Sequence, residues 1–142
     1  MKTIEELRSL ETAQKNYVPE KVEKLSEKDM QWFRDAKFGM FIHWGLYSLL
    51  EKGEWVLFNE RLDMKKYAAL SQDFSAKAFD AEKWARTAKK AGMKYMVLTT
   101  RHHDGFCLFN SKASGYNSVN SAAKRDFVKE YAEACRKEGL KV

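Results

Sequence analysis

Two bulky apolar runs limit the fold of this chain more than any other feature. Phe38-Gly39-Met40-Phe41-Ile42-His43-Trp44 is of strand length and stops at Gly45, and Lys94-Tyr95-Met96-Val97-Leu98-Thr99-Thr100 has the same character. Between them lies a helix signal. Asp80 suits the N-cap, Trp84, Ala85, Ala88 and Ala91 share one face, and Gly92 suits the position just past the end. A second helix is predicted from about Ala122 to Glu138, with Phe127, Val128, Tyr131 and Cys135 inward and Gly139 closing it. Leu140-Lys141-Val142 reads as the opening of a third strand. Strand, helix, strand, helix, strand with right-handed crossovers makes a parallel sheet, so the fold class is α/β. Continuous apolar strands without alternation predict burial on both faces of that sheet.

The flanking segments are less regular. Residues 1–37 read as an N-terminal helical segment. Ile4, Leu7 and Leu10 share a face, and Ser26 with Asp29 resembles a capping box ahead of Met30, Phe33 and Ala36. Residues 46–79 are mixed, with one helical stretch from about Met64 to Leu70, and residues 101–121 form a loop rich in Ser, Asn and Gly. Hydrophobic residues are 44% of the 142, enough for a packed core and too many for a disordered chain. Seven Gly and one Pro exclude a collagen-like chain.

Net charge is +6, but both signs are interspersed, as in Glu20-Lys21-Val22-Glu23-Lys24, and no block of five like charges occurs. That pattern describes solvated helix faces, and no nucleic-acid partner is expected. The longest run free of charged side chains, Phe38 to Leu50, is too short to span a bilayer as a helix, so no membrane partner is expected either. Acidic residues in Met1–Arg8 leave no signal peptide visible, and a cytoplasmic location is the expectation. The two cysteines, Cys107 and Cys135, have neither a disulfide-framework nor a zinc spacing, which suits a reduced, intracellular setting.

The three histidines carry the functional signal. His43, His102 and His103 all fall at or just past the carboxyl ends of the two strands, the ligand face of parallel α/β folds. One reading is a metal site. Adjacent histidines on a regular strand point to opposite faces, however, and no HxH or HExxH spacing occurs, so neither metal nor cofactor is expected. The other reading is a polar-ligand site in which imidazoles bond substrate hydroxyls. Glu54 and Trp55 add a carboxylate and an aromatic face, the combination that suits a sugar ring. Trp44 fits core packing and the site equally well. Asp104 could be a catalytic carboxylate, but capping the turn at Gly105 or orienting a histidine suits it better. Phosphate-loop, GxSxG and Rossmann signatures are absent.

These residues also carry a resemblance. Trp32-Phe33 with Ala36-Lys37-Phe38-Gly39-Met40-Phe41-Ile42-His43-Trp44-Gly45-Leu46-Tyr47-Ser48, then Gly53-Glu54-Trp55, is similar to the start of the catalytic domain of glycoside hydrolase family 29, the α-L-fucosidases. Leu98-Thr99-Thr100-Arg101-His102-His103-Asp104-Gly105-Phe106 is the most distinctive stretch, and the likeness covers about residues 30–142.

The resemblance implies a (β/α)8 barrel, of which residues 38–142 would supply the first two βα units and the start of the third strand. It implies an enzyme that removes terminal α-L-fucose with retention, through an aspartate nucleophile and a second carboxylic acid. It places His43, His102 and His103 on fucose hydroxyls and Glu54 and Trp55 in binding and packing the sugar. Val56 departs from the aromatic residue frequent at that position. By the same resemblance both catalytic carboxylates belong beyond Val142. No catalytic residue is therefore expected here, and the chain is expected to be inactive alone. A fucosylated glycan is the expected partner, together with the rest of the barrel or a second copy of the chain. The alternative is a non-catalytic fucose-binding or interaction module.

Overall fold

A computed structural model describes residues 24–142. The helical reading of Ile4, Leu7 and Leu10 lies outside the described residues. Helix α1 (Glu27–Ala36) begins where Ser26 and Asp29 cap each other: Asp29 N donates to Ser26 Oγ at 3.2 Å, and Ser26 N donates to Asp29 Oδ2 at 3.2 Å.

Residues Asp35–Val142 form one compact unit. Strand β1 (Gly39–Ile42) pairs in parallel with β2 (Tyr95–Leu98), Met40 opposite Met96 and Ile42 opposite Leu98. Lys141 makes a single parallel bridge on the other edge of β2: Met96 N donates to its carbonyl at 2.9 Å, and its own N–H reaches the Lys94 carbonyl at 3.1 Å. The segment between β1 and the crossover helix holds a 3₁₀ turn (Leu46–Leu50) and two short helices, α2 (Val56–Asn59) and α3 (Met64–Ala69). Helix α4 (Ala81–Lys90) starts at Asp80, whose side chain accepts from Lys83 N at 2.8 Å.

Helix α5 (Phe127–Lys137) starts later than the apolar pattern predicts. Ala122 and Ala123 favour a helix, but the buried Ser121 takes up the local backbone: its hydroxyl donates to the Ser118 carbonyl and accepts from Ala123 N. Asp126 is the true cap. Its Oδ1 accepts from Lys129 N at 2.9 Å and its Oδ2 from Asn110 N at 3.0 Å. Ala91, placed on the inward face by sequence, is exposed because α4 has already ended.

The core lies between one face of the sheet and the helices. Met96, Leu98, Ala85, Ala88, Phe127, Tyr131 and Cys135 are buried there, with Met40 and Ile42 packed against them. The other face differs from the expectation of burial on both sides. Phe41 is 63% exposed and its partner Val97 38%, because no residue of Asp35–Val142 covers them. At its start the Tyr95 ring lies over Gly39, where an added Cβ would fall 2.4 Å from the ring.

Candidate functional site

The site is built where β1 and β2 end. His43 directly follows β1, and its ring lies 4.7 Å from Phe41 and 5.4 Å from His102, centroid to centroid. His102 and His103 are not on a strand. After β2 the chain doubles back, with Arg101 bridged antiparallel to Cys107. Between them Gly105 N donates to the His102 carbonyl at 3.0 Å and closes a turn. Gly105 has φ +78°, a conformation that costs a side-chain-bearing residue and suits glycine. The bend brings the two imidazoles 4.8 Å apart at 85° to each other. A straight strand would have sent them to opposite faces.

Trp55, in the turn leading into α2, completes the cluster. Its ring stacks on His103 at 4.3 Å and 29°, and meets His102 edge-on at 5.6 Å. Glu54 is half-buried beside it, and its charge acts on both His102 and Tyr47. The structure thus brings together His43, Trp55, His102 and His103, with Glu54 close enough to be felt electrostatically. Arg101, His102 and His103 line an open cavity of about 390 Å³. A larger one, about 600 Å³ and lined from α4 and α5, holds none of the histidines.

Electrostatics follow from burial. Desolvation holds His102 below its ordinary value of 6.5, with the charges of His103 and His43 adding to the effect; Asp104 and Glu54 oppose it. His102 Nδ1 is buried and has no hydrogen-bond partner among the described residues. Among the described residues no three His, Cys, Asp or Glu side chains stand together to hold a metal ion.

Two sequence ambiguities are decided. Trp44 packs into the core, stacked on Phe79 at 4.9 Å and edge-on to Phe127 at 4.9 Å and Trp84 at 5.8 Å. Asp104 is 4% exposed and structural. Its Oδ1 accepts from Phe106 N at 3.1 Å and its Oδ2 from the Tyr67 hydroxyl at 2.8 Å. Sequence reasoning missed Tyr47, whose ring meets His102 edge-on at 5.5 Å and whose hydroxyl pairs with Thr99 at 3.5 Å. It also missed Phe41 beside His43. The signal was available for Phe41, since residues two apart on a strand share a face.

The profile of the α-L-fucosidase family matches residues 6–142. The chain belongs to the α-L-fucosidases. Human plasma α-L-fucosidase is 38% identical over 122 residues, which cover 74% of this chain and 26% of that protein. Among solved structures, α-L-fucosidase isoenzyme 1 from Paenibacillus thiaminolyticus superposes with a TM-score of 0.78 at 51% identity, covering 80% of this chain and 27% of that one. A family 29 α-L-fucosidase from Bacteroides thetaiotaomicron, trapped as a covalent intermediate with 2-fluoro-fucosyl fluoride, gives 0.77 at 36%, covering 87% and 32%. The chain thus spans about a quarter of the length of the curated fucosidases it matches. Family 29 fucosidases have a TIM-barrel catalytic domain, and the parallel strands and helices found here are consistent with part of one.

Proposed function

We propose that His43, Glu54, Trp55, His102 and His103 bind a terminal α-L-fucose residue of a glycan, as part of a retaining α-L-fucosidase. The contiguous ring cluster of His43, His102, His103 and Trp55 at the strand ends carries this reading. Imidazole nitrogens give or take hydrogen bonds with hydroxyls, and the indole face accepts the C–H face of the ring.

On this reading residues 38–142 are the first two βα units and the start of the third strand of a (β/α)8 barrel, behind a helical segment 1–37. Two observations support it. Lys141 adds to β2 on the edge away from β1, continuing the strand order. The open face at Phe41 and Val97 is the one that further strands of a barrel would cover.

The reaction needs two carboxyl groups. One attacks the anomeric carbon while the other protonates the departing glycosidic oxygen; water then adds to that carbon, gives its proton back to the second carboxylate and releases the first. We assign neither role to this chain. Asp104, next to the histidines, is buried with both oxygens engaged, so it cannot reach an anomeric carbon. The pair comes from residues outside these 142, and the partner this requires is the chain that supplies the other strands, whether continuous or separate. What the described residues do is hold the sugar in register for that attack.

Two measurements on the 142-residue chain test this. Titration calorimetry with α-L-fucose should show binding that is lost in His102→Ala; no heat at millimolar sugar overturns the assignment of the pocket. Incubation with an aryl α-L-fucoside should give no turnover above the His43→Ala, His102→Ala double variant. Clear excess turnover would place a catalytic carboxylate within the chain.

A further inference from the structure

Four rings meet the His102 imidazole edge-on: His43 at 5.4 Å, Tyr47 at 5.5 Å, Trp55 at 5.6 Å and His103 at 4.8 Å. His43 and His103 are exposed and Trp55 is 42% exposed, so solvent leaves each of these side chains room to change rotamer. Tyr47 is 3% exposed and has no such room.

Its ring is held at both ends. On one side lies Gly45, where an added Cβ would fall 3.0 Å from Tyr47 Cε1 and 3.4 Å from Cζ. The Gly45 backbone is extended, a conformation open to any residue, so the ring rather than the turn is what a side chain there would disturb. At the far end the Tyr47 hydroxyl lies 3.5 Å from Thr99 Oγ1, and the Thr99 hydroxyl donates to the Ile42 carbonyl at 3.3 Å. A threonine hydroxyl has one proton, so Tyr47 is the donor to Thr99. This chain of bonds crosses from the end of β2 to the end of β1 and ties the ring to the sheet.

We propose that Tyr47 is a positioning residue for His102: its pinned ring fixes the plane of the imidazole, and with it the direction in which His102 meets a sugar hydroxyl. The use of that direction in binding rests on the fucose reading above; the fixing of the imidazole does not. An edge-on ring favours one relative orientation, and a hydrogen bond weakens steeply when its donor and acceptor are misaligned. The same ring keeps water from one side of His102. The charges of His43, His103, Asp104 and Glu54 act on that imidazole as well, and replacing Tyr47 changes none of those residues.

Proton NMR of the 142-residue chain tests this, its three histidines assigned by replacing each in turn. Tyr47→Met keeps an apolar side chain without a ring, Tyr47→Phe keeps the ring, and thermal unfolding checks that each variant is folded. In Tyr47→Met the His102 midpoint should climb towards 6.5 and its ring-proton shifts should change. His103, whose ring contacts are Trp55, Phe58 and His102, should move less. Tyr47→Phe should leave His102 as in the parent. Calorimetric fucose affinity should fall about tenfold in Tyr47→Met and less than about twofold in Tyr47→Phe. Where Tyr47→Met does not fold, Thr99→Val takes its place. It leaves the Tyr47 hydroxyl without its acceptor and should shift the His102 ring protons; adding Tyr47→Phe should restore them, because no polar group is then stranded. Unchanged His102 signals in folded Tyr47→Met, or in Thr99→Val where that variant stands in, overturn the proposal. So does a change in His103 as large as that in His102, or one in Tyr47→Phe as large as that in Tyr47→Met. His102 signals that move as expected in a parent that binds no fucose overturn the fucose reading and leave the positioning of His102 standing.

Discussion

The Tyr67 hydroxyl donates a 2.8 Å hydrogen bond to Asp104 in the interior, across 37 positions of sequence. It ties α3 to the turn that carries His102 and His103, and so joins the segment bearing Glu54 and Trp55 to the segment bearing the histidines. Burial, reinforced by the hydrogen bond to Asp104, raises the Tyr67 phenol well above its ordinary value, so it stays a donor at any working pH.

Substitutions of this pair should rank in a definite order. Asp104→Ala removes the acceptor of both Phe106 N and Tyr67 and should cost most, about 2–4 kcal/mol. Tyr67→Phe strands one buried carboxylate oxygen and should cost about 1–3 kcal/mol. Asp104→Asn keeps an acceptor for Phe106 N and should be mildest. Urea unfolding gives the order, and calorimetry should show fucose affinity falling with it. Equal affinity in all three would mean the turn holds its shape unaided.

The histidine cluster gives stability a pH dependence. Because the folded protein holds His102 below 6.5, the unfolded chain binds that proton more readily. The contribution is fully present above about 6.5 and is lost as pH falls from there towards the folded value. Unfolding free energy measured from pH 8 to 5 should decline over that window, and the decline should shrink in His102→Gln.

Position 39 cannot carry a side chain while Tyr95 sits over it. Gly39→Ala would place its Cβ 2.4–2.6 Å from three ring atoms and should cost about 1–3 kcal/mol. The penalty should largely vanish in a Tyr95→Ala background. A double-mutant cycle measures the coupling, and additivity within about 0.5 kcal/mol would deny the contact.

Asp126 has two jobs, one for each oxygen. Asp126→Ala should cost about 1–2 kcal/mol through loss of the α5 cap, and should also release the backbone of Asn110. Asp126→Ser restores the cap without the second acceptor. Amide exchange at Asn110 should therefore rise in both variants, while thermal stability recovers only in the second.

Much of this architecture was legible because it is local. The strands showed as apolar runs, and the caps Ser26, Asp80 and the glycines after α4 and α5 showed as residue types at fixed offsets. Asp126 was hidden by the two alanines before it, whose helix preference is overridden by hydrogen bonds of Ser121. Trp44 could not be placed, since an indole suits a core and a sugar face alike; only its packing on Phe79, Trp84 and Phe127 decides. The grouping of the histidines was legible from topology. Their mutual angle was not, because it depends on a turn that the hydrogen bond from Gly105 closes. The Tyr67–Asp104 bond left no local trace at all.

The perpendicular imidazoles of His102 and His103 come from consecutive residues in a closed four-residue turn. Two imidazole planes nearly at right angles thus stand on adjacent residues, and nothing can be inserted between them. Any lengthening or shortening of this region that keeps the pair intact must fall outside the turn that Gly105 N closes on the His102 carbonyl. A family of such chains would then vary in loop length around the histidines while the spacing of the pair itself stays constant.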